Sequence, residues 1–155
     1  MADLTIVPRH HHLAIQAGDL ESSVAWYRDF FGAEEKWTLE EFSELTASRL
    51  PGIRRLVEVL VGDVRFHLFD RDGCGAESPP TQARQFQHLC MAVESPGELR
   101  EMRRRWIELR ASGRYRFALP DGPTDIVTDA DGAQSFYAHD VNGLEFEFTY
   151  VPGAR

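Results

Sequence analysis

The chain has 155 residues, 43% hydrophobic and 27% charged, with a formal net charge of −8. That size and balance indicate one globular domain with its own core and exclude the disordered class. The acidic balance disfavours nucleic acid and anionic membranes as partners, and no apolar run approaches the roughly 18 residues of a membrane span. Two cysteines, Cys74 and Cys90, are too few for a disulfide framework or a cysteine zinc site. No basic segment followed by an apolar one marks a signal peptide, so the expectation is a cytoplasmic protein acting on a small molecule.

Residues 11–17 read as a strand. Asp19 then offers a helix N-cap, and Leu20, Val24, Tyr27 and Phe31 follow at helical spacing up to Gly32, a natural stop. Residues 36–50 carry no single periodicity. Residues 55–61 read as a strand, Gly62-Asp63 as a turn, and the alternation of Val64, Phe66 and Leu68 with Arg65, His67 and Phe69 as a second strand. The Gly- and Pro-rich stretch 71–84 is the best linker. The pattern then restarts. Residues 87–93 read as a strand, and Ser95-Pro96-Gly97-Glu98 as a capping box opening a helix with Leu99, Met102, Trp106 and Leu109 on its apolar stripe. A strand is expected over 115–127 with a turn at 120–123. Asp131-Gly132 marks another turn. Strands over 134–139 and 144–151 flank Asn142-Gly143, a type I′ turn signal.

The order is therefore strand, helix, then two or three strands, twice, which reads as an internal repeat. His12-Leu13-Ala14 falls on His88-Leu89-Cys90, and Phe66-His67-Leu68 falls on Phe146-Glu147-Phe148. His12, His67, His88 and Glu147 thus occupy two equivalent positions in two equivalent modules. A pseudo-twofold would gather them. Three imidazoles and a carboxylate suit Fe, Mn, Co, Ni or Zn. An ionised Glu147 between Phe146 and Phe148 needs a compensating charge or an exposed sheet face. His10 shares the face of His12 and is a candidate support for it, while His11 points the other way. His139 is read as a solvated strand-end residue. Trp26, Tyr27 and Trp106 are assigned to the core, Arg103–Arg105 to a solvated helix face, and Cys90 to a buried filler position.

These residues resemble the vicinal oxygen chelate superfamily, over about 9–151. The opening with His12, Asp19-Leu20, Tyr27 and Gly32 is similar to the family's first-module opening. The segment from Phe136 and Tyr137 through Asp140 and Gly143 to Glu147 is similar to its ending, with Val141 where the family usually has Pro. The resemblance implies an α+β fold of two tandem βαβββ modules (about 9–72 and 87–151, joined by a linker over 73–86) in a single domain over 1–155. It implies a curled, cup-shaped mixed sheet around one divalent metal ion. It implies His12, His88 and Glu147 as metal ligands, His67 at a variable fourth position, and a homodimer that in some members builds the site from both chains.

The chemistry the resemblance implies is bidentate binding of vicinal oxygens with the metal as a Lewis acid. Four protein ligands favour proton transfer, as in isomerases, epimerases and lyases, with Glu147 or a metal-bound water as the base. The alternative is an extradiol, ring-cleaving dioxygenase using Fe(II). Tyr137, ten residues before Glu147, fits that group's terminal signature. The histidine expected near 128–130 is missing, since Thr128, Asp129 and Ala130 stand there. A non-catalytic binding or resistance protein is a further alternative, disfavoured because all four ligands are present.

Overall fold

The computed structural model describes residues 10–73 and 87–153. Cys74 and residues 74–84 of the expected linker lie outside them. The first module runs β1 (Leu13–Gln16), α1 (Leu20–Phe31), β2 (Glu34–Leu39), α2 (Glu44–Arg49), β3 (Ile53–Val61) and β4 (Val64–Arg71). The second runs β5 (Leu89–Ala92), α3 (Pro96–Ala111), β6 (Val127–Thr128), β7 (Gln134–His139) and β8 (Glu145–Tyr150). Each module forms its own four-stranded mixed sheet, ordered β1-β4-β3-β2 and β5-β8-β7-β6. The fold is α+β, two βαβββ modules in tandem, with the short helix α2 added in the stretch that showed no single period.

Local signals account for most boundaries. The Asp19 carboxylate accepts from the Ser22 amide at 3.0 Å and caps α1. Gly32 closes the helix at φ 68°, a left-handed value that costs glycine little. Ser95 caps α3 by accepting from the Glu98 amide, with Pro96 at the first turn. The Glu98 carboxylate reaches back to accept from the Glu94 amide, one residue beyond the Ser95 amide of the expected box.

Two expectations are corrected. Residues 115–126 form no strand. Pro120 and Pro123 remove ladder donors, and the segment is held as an irregular strap. The Ala118 and Thr124 amides donate to Val141 O and Tyr137 O, both at 2.9 Å. Arg110 donates to Leu119 O and Pro120 O, and Arg103 to Thr124 O. The turn at Asn142-Gly143 is not type I′ either, because only Gly143 has positive φ, at 88°. The Gly143 amide donates to Asp140 O and the Asp140 amide to Leu144 O. That pairing is a type I turn followed by a glycine bulge. It is favoured because the Asp140 side chain accepts from the Asn142 and Leu144 amides.

Both sheets turn their apolar faces to one aromatic core shared with the helices. Trp26 stacks on Phe30 at 4.7 Å, and Phe30 meets Phe148 edge-on at 5.8 Å. The Phe66 and Phe146 rings lie 6.1 Å apart across the module boundary. Trp26, Tyr27 and Trp106 are core residues, as their helical stripes predict. Tyr27 also donates to the fully buried Asp140 carboxylate at 2.9 Å, tying α1 to the second module's hairpin. Burial raises the Asp140 carboxyl above its usual range, against the lowering effect of bonds from Leu144, Tyr27 and Asn142.

Candidate metal centre

The parallel registers of the two modules correspond residue by residue. Leu13 pairs with Phe66 and Ala14 with His67, and Leu89 pairs with Phe146 and Cys90 with Glu147. The repeat read from the sequence is thus a repeat of strand pairing. His12 and His88 each sit two residues before the position opposite the second donor, and side chains two apart share a sheet face.

In the first module His12 and His67 lie ring on ring, with centroids 3.8 Å apart and planes within 10°. His67 is buried, and its Nε2–H donates to Glu58 Oε2 at 2.8 Å. That bond leaves Nδ1 as the nitrogen free to accept or ligate. Glu58 is itself 5% exposed, and Arg65 Nε lies 3.8 Å from its other oxygen. Partial desolvation of an otherwise exposed ring, then the neighbouring imidazoles of His67 and His11, hold His12 below its usual pKa, which favours the neutral ring that a metal requires. His11 does not point away. Its Nδ1 lies 2.9 Å from that of His12.

In the second module His88 Nε2 lies 3.2 Å from Glu147 Oε2. The Tyr137 ring meets the His88 ring edge-on at 5.6 Å, and Tyr137 stands opposite Glu147 in the β7–β8 register. Burial and then the Glu147 carboxylate raise the Tyr137 hydroxyl. The same two causes, in the same order, push the Cys90 thiol up to about 11. Cys90 is exposed on this face beside Glu147, and is not the buried filler expected of a mid-strand cysteine. His139 and His88 both approach Glu145, at 3.8 and 3.9 Å.

The two half-sets do not meet within one chain. Strand alternation puts His67 on the side opposite Phe66 and Glu147 on the side opposite Phe146. Because Phe66 and Phe146 face each other through the core, the donor-bearing faces look outward in opposite directions. Accordingly, the described residues contain no cluster of three or more His, Cys, Asp or Glu able to hold an ion. Within one chain, then, the described residues do not gather His12, His67, His88 and Glu147 into a single cluster. Burial of both apolar sheet faces against the common aromatic core decides it. The donor chemistry of each half still fits a divalent ion, with one neutral imidazole and one imidazole–carboxylate pair at matched positions.

Glu58 was missed from sequence, although the signal was there. The two-residue turn at Gly62-Asp63 sets the hairpin register, and counting back from it puts Glu58 opposite His67. Of the Arg103–Arg105 run only Arg104 is on the solvated helix face expected, bound to Glu101 and Glu108, while Arg103 donates to Thr124 O and Arg105 to Phe30 O.

A family model, Glyoxalase/Bleomycin resistance protein/Dioxygenase superfamily, matches residues 9–148. The chain is similar in structure to the glyoxylase/bleomycin resistance protein/dioxygenase domain from Frankia sp. EAN1pec, at 15% identity and a TM-score of 0.73. That match covers 94% of this chain and 99% of that one. It is similar to a mutant of the fosfomycin resistance protein FosX from Listeria monocytogenes, complexed with Mn(II) and 1S,2S-dihydroxypropylphosphonic acid. Identity is 16% and TM-score 0.65, over 96% and 95% of the two chains. It is also similar to lactoylglutathione lyase from Agrobacterium tumefaciens, at 25% identity and TM-score 0.57, over 92% and 94%. No curated protein matches the chain. Among the described residues no helix is long and apolar enough to cross a membrane.

Proposed function

Since the chain belongs to the Glyoxalase/Bleomycin resistance protein/Dioxygenase superfamily, we propose that it is a divalent-metal-dependent isomerase, epimerase or lyase. It would act as a homodimer on a small substrate that offers two vicinal oxygens. The observation that carries this reading is the matched register that places His12 with His67, and His88 with Glu147, on equivalent outward faces. A second copy related by a twofold axis would bring the second module's face of one chain over the first module's face of the other. His12, His88 and Glu147 would then hold the ion, which is Fe, Zn, Ni, Mn or Co by the softness of these donors. His67 completes the set once its ring turns out of the stack. The ion would supply Lewis acidity to the two chelated oxygens.

The chain's own residues supply the rest. Glu147, paired with His88, is the carboxylate placed to accept a proton from the carbon next to the chelated carbonyl. Tyr137 stands beside it with its proton held firmly by burial, so it serves as a hydrogen-bond donor rather than a base. Glu58 fixes the orientation and tautomer of His67.

A second reading has one observation in its favour. While His67 stays bonded to Glu58, the remaining donors are two histidines and one carboxylate, the set used by non-haem Fe(II) oxygenases. An extradiol dioxygenase is therefore the alternative. Metal analysis of protein purified without a tag, aerobically and anaerobically, separates the two. Zn, Ni, Co or Mn indifferent to air supports proton transfer. Iron lost in air, with oxygen consumed in the presence of catechol, supports ring cleavage. No metal uptake at all would overturn both.

The shared site is tested by mixing His12→Ala with His88→Ala protein. Each alone is expected to bind metal at least tenfold more weakly than wild type, so metal is supplied at a level that only intact sites fill. A random mixture is expected to recover about a quarter of the wild-type sites, because half the dimers are mixed and each has one intact site. No recovery would overturn the two-chain arrangement.

A further inference from the structure

β2 carries an extra residue. Glu34 and Glu35 pair with Leu60 and Val59, but Trp37, Thr38 and Leu39 pair with Glu58, Val57 and Leu56, so Lys36 is bulged out of the ladder. In an unbroken ladder Trp37 would pair with Val57 and lie on the core side. The bulge moves it to the side of Glu58 and His67, a known use of bulges near functional sites. There the indole stands edge-on to the His67 ring at 5.0 Å, and 42% of the residue remains exposed. Trp26 and Trp106, the other two tryptophans, are 1% and 2% exposed. By register and alternation Leu39, Leu56, Leu60 and Phe69 share this face. The imidazole donors are thus bordered by an apolar wall in which the Trp37 indole and Leu39 are equally exposed, at 42%, and the indole is the member that touches His67. Two arginines of β4 share the face by the same alternation, Arg65 against Glu58 and Arg71 bound to Gln16 and Pro51 O.

We propose that Trp37 is a specificity-determining residue, an aromatic platform for an aryl or similarly flat apolar group attached to the chelating oxygens of the substrate. This rests on the metal-dependent reading given above. Its occupant is the body of a substrate and not a second protein surface, because the indole abuts His67 itself, whose ring stacks on His12. An indole left open beside polar donors offers both area and an edge or face for another ring.

The test uses mandelate and lactate, two 2-hydroxy acids that present the same vicinal oxygens and differ in phenyl against methyl. Affinities are measured by calorimetry on the Co(II)-loaded dimer of wild type, Trp37→Ala and Trp37→Phe. Quenching of the exposed tryptophan emission is followed in parallel. Wild type is expected to prefer mandelate by about tenfold or more, as burial of the extra apolar area would give. Trp37→Ala should bring the two acids within about twofold, Trp37→Phe should keep most of the preference, and Co(II) affinity should not change. Equal affinities in wild type, or an unchanged preference in Trp37→Ala, would overturn the platform. So would a tryptophan inaccessible to acrylamide in the dimer, which would make Trp37 a subunit contact. Retained Co(II) binding with no preference sinks the platform alone. Failure to take up Co(II), with the metal-free protein still preferring mandelate and losing that preference in Trp37→Ala, sinks the metal reading alone.

Discussion

His12 and His67 face each other as parallel rings, 3.8 Å between centroids. A metal ion lies close to the plane of each imidazole that binds it. Two parallel, stacked rings therefore cannot both aim a nitrogen at one ion. Of the two, His67 is the one restrained, buried and bonded to Glu58, while His12 is exposed. Metal titration is expected to show His12→Ala losing affinity at least tenfold and His67→Ala losing only a few-fold. A larger loss from His67→Ala would mean that the stack opens fully when the ion arrives.

Glu58 is expected to act on the ion through His67. Glu58→Ala removes the acceptor at 2.8 Å and leaves the ring free to rotate. We expect metal affinity to fall by no more than the few-fold loss of His67→Ala, since Glu58 reaches the ion only through that ring. Far-ultraviolet circular dichroism should stay unchanged. Glu58→Gln, which keeps an acceptor oxygen, should fall less. Equal losses from the two variants would argue that charge, and not ring orientation, is what Glu58 provides.

The buried Tyr27–Asp140 bond joins the modules, so Tyr27→Phe should destabilise the fold by about 1–3 kcal/mol in urea melts. The companion test is Asp140→Asn. Burial raises the folded-state pKa of Asp140. Its neutral form is therefore favoured by folding, and its contribution is lost as pH rises through the folded value. The stability of Asp140→Asn relative to wild type should accordingly increase as pH is raised from about 4 to 7. A difference that stays flat with pH would mean the hydrogen bonds from Leu144, Tyr27 and Asn142 offset the burial completely.

Phe30 is fully buried between Trp26 and Phe148, linking both modules in one aromatic stack. Phe30→Ala is expected to cost about 3–5 kcal/mol. Both modules should unfold in a single transition, since the stack is common to them. Two separated transitions in calorimetry would show that the modules fold independently.

Gly143 sits at φ 88° in the turn that presents Asp140. Gly143→Ala should destabilise by about 1 kcal/mol or more, because an L-residue adopts that backbone poorly. A neutral effect in urea melts would mean the hairpin can shift to another turn.

Most of the fold was legible in the sequence because its signals are local. Asp19, Gly32, Ser95 and Pro96 mark helix ends through bonds made within a few residues, and alternation along 64–69 assigns each side chain to a face without reference to the rest of the chain. The equivalence of His12 with His88 and of His67 with Glu147 followed from the repeat. The turn at Gly62-Asp63 even fixed the partner of His67, through register. Other features depended on contacts distant in sequence. Pro120 and Pro123 keep 115–126 from forming a strand, but the path of the strap is set by bonds to α3, Tyr137 and Val141. The bulge at Lys36 is invisible in a stretch of mixed pattern, yet it alone puts Trp37 beside His67. Above all, alternation tells which residues share a face but not which way the two faces turn. The tertiary structure decided that, because burying Phe66 and Phe146 against one aromatic core directs His67 and Glu147 to opposite sides of the same chain.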